Sequence, residues 1–289
     1  MSQATIAWIG TGVMGRSMAG HLLAAGHPVI LFSRTRERAE ALLAQGATWA
    51  DSPREAAEQA SIVCSMVGYP ADVESVHLGS SGTLAAKNTP SLLIDFTTSG
   101  PALARQLAAR AAERGIHCLD APVSGGDIGA RNATLSIMCG GSEAAFAAAQ
   151  PILARFGKTV VRQGEAGAGQ HTKMVNQLLI AGTMLGMAEA LSYAKRAGLD
   201  PETVLQSVGG GAAASWSLAN LAPRILKNDF APGFFIEHFL KDLRIALDEA
   251  RSMGLNLPCA TAAERTYAAL AEAGHARSGT QAVVHAYEW

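Results

Sequence analysis

Short apolar runs alternate with amphipathic stretches through the first half of the chain. TIAWI, HPVILF, SIVCSMV, SLLIDF and HCLDAPV are nearly continuous in apolar residues, as strands buried on both faces of a sheet should be. Between most of them lie Ala-rich segments of helical period, such as ERAEALLAQG and LARQLAARAAERG. Strands alternating with helices predict a parallel sheet covered on both sides. ATLSIMCGG and TVVRQG read as further strands that close this unit.

The pattern changes after Gly169. HTKMVNQLLIAGTMLGMAEALSYAKRAG predicts one long helix that ends at Gly198. From there to Trp289 only helical signals follow, interrupted by Gly209-Gly210-Gly211, Pro223, Pro232, Pro258 and Gly279. The expected architecture is an α/β domain with a mostly parallel, doubly wound sheet over residues 1–163. The long helix joins it to an all-α domain over residues 164–289. A long helix rich in small and apolar residues usually packs against a partner, so a homodimer or homotetramer through the helical domain is expected.

With 289 residues, 49% of them hydrophobic, the chain can bury two cores. Its net charge of −1 gives no basic field for nucleic acid or a membrane surface. No continuous apolar run reaches the roughly 18 residues of a membrane span. MSQATIAWIG reads as the approach to a first strand rather than a signal peptide, which points to the cytoplasm. Cys64, Cys118, Cys139 and Cys259 lie far apart in apolar contexts, as buried reduced thiols would. The eight histidines form no metal-spaced set, so no metal is expected.

Gly10-Thr11-Gly12-Val13-Met14-Gly15 follows the first strand and opens a helix. In that context the glycines give a tight turn, close backbone approach to a pyrophosphate and close helix–strand packing. The helix N-terminus supplies free N–H groups and a positive dipole end. The second strand ends in Ser33-Arg34-Thr35-Arg36 rather than in the carboxylate that would bond a ribose 2′-hydroxyl. Hydroxyl and guanidinium groups suit a 2′-phosphate, so NADP is the preferred cofactor and NAD a possible one.

Asp120-Ala-Pro-Val-Ser-Gly-Gly126 reads as a strand running into a glycine turn. Ser124, Gly125 and Gly126 offer a hydroxyl and unobstructed N–H groups to a small carboxylate, a plain turn being the alternative. Lys173 and Asn176 put an ammonium and a carboxamide about one helical turn apart. A lysine on a buried helix loses hydration, which eases proton transfer near neutral pH; a snorkelling surface lysine is the other option. Lys241-Asp242, within FFIEHFLKDLRIAL, is a second embedded charge pair, either functional or an ordinary ion pair of an amphipathic helix.

Five segments together resemble the β-hydroxyacid dehydrogenases, the family of 3-hydroxyisobutyrate dehydrogenase, tartronate semialdehyde reductase and glyoxylate/succinic semialdehyde reductase. They are IGTGVMG, DFTTSGP, DAPVSGG, GAGQHTKMVNQ and FLKDLRIALDEA, in family order across essentially the whole length. The resemblance implies a Rossmann domain joined by a long helix to an all-α domain, usually dimeric or tetrameric. It implies interconversion of a short hydroxy acid and its semialdehyde or keto acid, with NAD(P). It assigns Met66 and Val67 to the adenosine and ribose side, and Thr98 and Lys241 to the nicotinamide. Ser124, Gly125 and Gly126 would hold the substrate carboxylate, Lys173 would be the general acid/base, and Asn176 or Gln177 would orient substrate. Gly279 stands where many members carry Asp. Imine reductases share the architecture but usually replace the lysine. A non-catalytic NADP-binding sensor or scaffold would need neither clamp nor lysine.

Overall fold

The computed structural model describes residues 3–287 and Trp289. Two compact units emerge, Met1–Lys173 and Met174–Trp289.

Among the described residues, the first unit is built on nine strands: β1 (Ile6–Ile9), β2 (Val29–Phe32), β3 (Thr48–Trp49), β4 (Ile62–Ser65), β5 (Leu92–Asp95), β6 (His117–Asp120), β7 (Val123–Ser124), β8 (Leu135–Gly140) and β9 (Gly157–Gly164). Their order is β3-β2-β1-β4-β5-β6-β8-β7, with β9 also paired to β8. Strands β1 to β6 run parallel, whereas β8 is antiparallel to both β6 and β7. The sheet reverses direction of growth between β1 and β4, the crevice where doubly wound folds take ligands. Strands β1 and β5 are buried along their whole length, as the continuous apolar runs require. The two-residue β3 is too short and too exposed to show in the hydrophobic pattern.

Trp8 stacks on Phe96 with ring centroids 5.7 Å apart, and Phe156 meets the Phe96 ring edge-on at 5.3 Å. These rings help fill the core on one face of the sheet. A second cluster, including Ile9, Val63, Leu93, Leu107 and Ile116, covers the other.

A helix over Ala168–Arg196 runs through the division of the units, so its first turns belong with the sheet and the remainder with the helical unit. It starts three residues before the expected stretch, because Gly167 and Gln170 donate their backbone N–H to Asp120. It stops before Gly198, whose φ of +72° is left-handed. By length and composition alone this helix could cross a membrane: its most apolar window has a mean hydropathy of 1.3, and 44% of that window is buried in the fold. In the second unit Met184, Met187, Ala188 and Leu191 pack with Phe239, Leu243 and Tyr267. Helices Ile236–Ser252 and Pro258–Leu270 supply those partners.

Cysteine burial differs from expectation. Cys64 and Cys139 are buried, but Cys118 is only partly so and Cys259 is exposed. Cys259 sits in the first turn of the helix that starts at Pro258, with its sulfur 3.6 Å from where a Cβ on Gly182 would stand.

Candidate active site

Strand β1 leads into Gly10, whose φ is +99°. A Cβ there would stand 2.3 Å from the Met66 carbonyl oxygen, so only glycine lets this turn pass the end of β4. A Cβ on Gly15 would meet the Gly10 carbonyl oxygen at 2.1 Å. The Trp8 indole N–H donates to that same carbonyl at 2.9 Å, fixing the turn from below. Gly12 is the N-cap of helix Val13–Ala24 and supplies no side-chain cap. A Cβ on it would meet nothing within 4 Å. Thr11 is 2% exposed, and its Oγ1 has no partner among the described residues. An uncapped helix start with open approach and a buried spare hydroxyl fits a dinucleotide pyrophosphate.

Ser33, Arg34 and Thr35 leave β2 toward solvent. The Arg34 side chain is 77% exposed and pairs with Asp72 at 2.9 Å. Asp72 also accepts the Tyr69 N–H at 3.1 Å, which caps helix Pro70–Leu78. Sequence reasoning missed Asp72 because 38 residues separate it from Arg34. Arg36 lies over the Trp49 ring at 4.8 Å.

The DAPVSGG segment is not one strand. Strand β6 ends at Asp120, Pro122 cannot continue the ladder, and Val123–Ser124 pairs antiparallel with β8. Gly125 and Gly126 follow at φ +130° and +62°. Lys173 is 7% exposed and donates from Nζ to the Val123 carbonyl at 2.9 Å. It is therefore no surface lysine. Its ammonium lies against the residue that precedes Ser124, which brings the cation to the proposed carboxylate clamp.

Two further residues organise this region. Asp120 accepts the backbone N–H of Gly167 at 2.7 Å and of Gln170 at 2.9 Å. Burial raises its carboxyl pKa, and these amides oppose that rise. A Cβ on Gly140 or Gly169 would collide with the Asp120 carboxylate, so both glycines make room for it. Gln170, fully buried, donates from Nε2 to the Thr97 carbonyl at 2.8 Å and accepts the Ser99 N–H at 2.9 Å.

Behind that loop, Asp95 accepts from Ser65 Oγ at 2.7 Å and from the Thr97 N–H at 3.1 Å. His77 contacts Ser65 Oγ through Nε2 at 2.9 Å and Thr83 Oγ1 through Nδ1 at 2.7 Å. The Val67 N–H donates to Thr97 Oγ1 at 3.0 Å, joining the ends of β4 and β5.

Burial lowers the His77 pKa from 6.5 to about 3. As pH falls, the unfolded chain protonates this imidazole first, so stability drops by up to about 1.4 kcal/mol per pH unit between the two values. Asp95 has the opposite sign: burial raises its carboxyl from 3.8 to about 6, so the fold takes up that proton first and gains stability through this window. His77→Gln keeps a donor for Ser65 and removes the first contribution. Denaturant unfolding between pH 6.5 and 4 should show the variant gaining on the parent as pH falls. Parallel pH profiles would mean that His77 titrates normally in the fold.

In the second unit, Asn176 Nδ2 donates to Gln177 Oε1 at 2.7 Å, and Gln177 Nε2 to Asp242 Oδ2 at 2.6 Å. Lys241 Nζ stands 2.9 Å from Asp242 Oδ1, an ion-pair contact without hydrogen-bond alignment. The two amides and the embedded charge pair are thus one connected group. Gly279 has a local reason: a Cβ there would stand 2.3 Å from Gln281 Oε1. Gln281 is 1% exposed and tied to the Asp229 and Ala231 carbonyls, so it cannot easily move aside.

Residues 5–164 match the family model described as the NAD binding domain of 6-phosphogluconate dehydrogenase. Residues 167–287 match that of the NAD-binding of NADP-dependent 3-hydroxyisobutyrate dehydrogenase. An uncharacterized oxidoreductase of Bacillus subtilis (strain 168), YkwC, is 51% identical over 96% of this chain and 97% of its own. The chain belongs to the β-hydroxyacid dehydrogenase family. The 2-hydroxy-3-oxopropionate reductase of Escherichia coli (strain K12) is 36% identical over 98% of this chain and 97% of its own. The solved Mycobacterium tuberculosis 3-hydroxyisobutyrate dehydrogenase with L-serine superimposes with a TM-score of 0.88, at 34% identity over 98% of each chain. This β-hydroxyacid dehydrogenase is an NAD(P)-dependent oxidoreductase with a Rossmann-type domain followed by a helical one.

Proposed function

We propose that this β-hydroxyacid dehydrogenase reduces a short aldehyde acid to its hydroxy acid with NADPH. The observation that carries the reading is the Lys173 ammonium, buried and bonded to the residue next to Ser124. Ser124, Gly125 and Gly126 hold the substrate carboxylate, and Asn176 or Gln177 orients it. Gly10 to Gly15 cradle the pyrophosphate. Ser33, Arg34 and Thr35 take the 2′-phosphate, Met66 and Val67 line the ribose side, and Thr98 and Lys241 flank the nicotinamide.

The dihydronicotinamide, when bound, supplies the hydride. Lys173 donates a proton to the oxygen that becomes the hydroxyl and stabilises its developing charge. The clamp fixes distance and angle for the transfer. The reductase from Escherichia coli, by its name, and the mycobacterial dehydrogenase with its β-hydroxy amino acid support this substrate class. Cytoplasmic residence belongs to the same reading.

The test is NADPH oxidation across a panel of short aldehyde acids. Turnover with one or more of them is expected. Flat traces with NADPH demonstrably bound would favour a cofactor sensor.

The functional form is proposed to be a homodimer or homotetramer through the helical domain. Val175, Leu179 and Tyr193 stand 58%, 68% and 75% exposed along one long helix, an apolar stripe suited to a second copy. Light scattering at micromolar concentration should give a multiple of 29.9 kDa. A clean monomer would remove this part of the reading.

A further inference from the structure

Polar side chains that are 3% exposed or less crowd behind the loop that carries Thr98: Ser65, His77, Thr83, Asp95, Thr97, Ser99 and Gln170. Burying so many polar groups is costly unless each is hydrogen-bonded, and a fully bonded network fixes one arrangement. The bonds converge on the backbone around Thr98. The Gln170 carboxamide donates to the Thr97 carbonyl and accepts from the Ser99 N–H. Those two groups belong to the peptide planes on either side of Thr98. Asp95 holds the Thr97 N–H from the opposite direction, itself held by Ser65, which His77 and Thr83 back up.

The same Gln170 lies in the first turn of the long helix, and its own N–H is bonded to Asp120. Lys173 follows three residues later, about one helical turn. A single side chain therefore joins the loop bearing Thr98 to the helix start bearing Lys173, both within the first unit.

We infer that Gln170 is a positioning residue that locks the nicotinamide-facing loop at Thr98 to the helix start that presents Lys173. It sets the hydride-donating and proton-donating groups in one rigid frame. This inference rests on the roles proposed for Thr98 and Lys173. Gln170 touches no reactant; it acts through the two peptides that it pins. The phosphates of the cofactor bind elsewhere, at the glycine turn, so cofactor affinity should be nearly independent of it.

Gln170→Met keeps the length of the side chain and removes both hydrogen bonds. In the cofactor-free protein, hydrogen exchange at the Ser99 amide should accelerate by about tenfold or more, since its acceptor is gone. The dissociation constant for NADPH should stay within about threefold, as expected when uniform binding is untouched. Emission from bound NADPH should fall toward that of the free cofactor, because the nicotinamide is held less rigidly. Turnover at saturating cofactor and substrate should drop roughly 10–100-fold, the scale of a misplacement of about an ångström. The primary deuterium isotope effect with 4-deuterated NADPH should rise as hydride transfer becomes limiting.

Faster exchange with unchanged emission, turnover and isotope effect would make Gln170 a structural bond only and overturn the inference. If Gln170→Met does not fold, Gln170→Glu decides by the same measurements. It keeps an acceptor for Ser99 and sets a carboxylate oxygen against the Thr97 carbonyl. A parent enzyme that fails to bind NADPH, or binds it and reduces none of the aldehyde acids, would instead overturn the functional reading. In the latter case exchange and emission still judge Gln170.

Discussion

Lys173→Ala should cut turnover at saturating cofactor by roughly 10²–10⁴-fold, the usual worth of positioned acid–base catalysis. NADPH affinity should scarcely change, because the proposed phosphate contacts are at Gly10 to Gly15 and Arg34. The geometry sharpens this expectation. Lys173 is 7% exposed and bonded to the Val123 carbonyl, so its ammonium is held in place rather than sampling solvent. Lys173→Arg should recover little. A guanidinium keeps the charge but does not release a proton near neutral pH, and its planar fork does not fit a site shaped for a compact ammonium. The two variants thus separate proton transfer from charge stabilisation. Turnover numbers with NADPH and the best aldehyde acid decide the matter. If Lys173→Ala stays within about threefold of the parent, the proton comes from elsewhere, with Lys241 or water as the next candidates.

What could be read in the sequence was local. The Gly10 turn follows from backbone requirements of adjacent residues, and the buried strands from continuous apolar runs. The long helix follows from its period and its terminal Gly198. Residues that act through distant partners were not legible. Asp120 gains meaning from Gly167 and Gln170, 47 and 50 residues on. Gln170 gains it from Ser99 and Thr97, 71 and 73 residues back. An Asp in a strand and a Gln in a helix are unremarkable alone, because nothing in periodicity shows which carbonyl they will meet. The break at Pro122 was visible as a proline, yet the apolar run around it outweighed that signal. Lys241-Asp242 could be seen as an embedded pair; its link to Gln177, 65 residues away, could not.

Arg34→Ala should weaken NADPH more than NADH, by roughly 1.5–3 kcal/mol, the range of a hydrogen bond to a charged group. The structure adds a competitor. Arg34 pairs with Asp72, whose own position is fixed by the Tyr69 N–H. With the arginine 77% exposed, such a pair is worth only about 0–1 kcal/mol, so a 2′-phosphate can draw the guanidinium away at small cost. The phosphate, with close to two negative charges, would nevertheless feel the Asp72 carboxylate. Asp72→Asn should therefore tighten NADPH by a few-fold and leave NADH nearly unmoved, a charge effect that shrinks as salt is added. The two substitutions should shift the NADPH to NADH preference in opposite directions. Dissociation constants for both cofactors, at low and at high salt, provide the measurement. Equal losses for the two cofactors in Arg34→Ala would mean that this arginine does not read the 2′-phosphate. Ser33 and Thr35 would then be the remaining groups at the end of β2 able to do so.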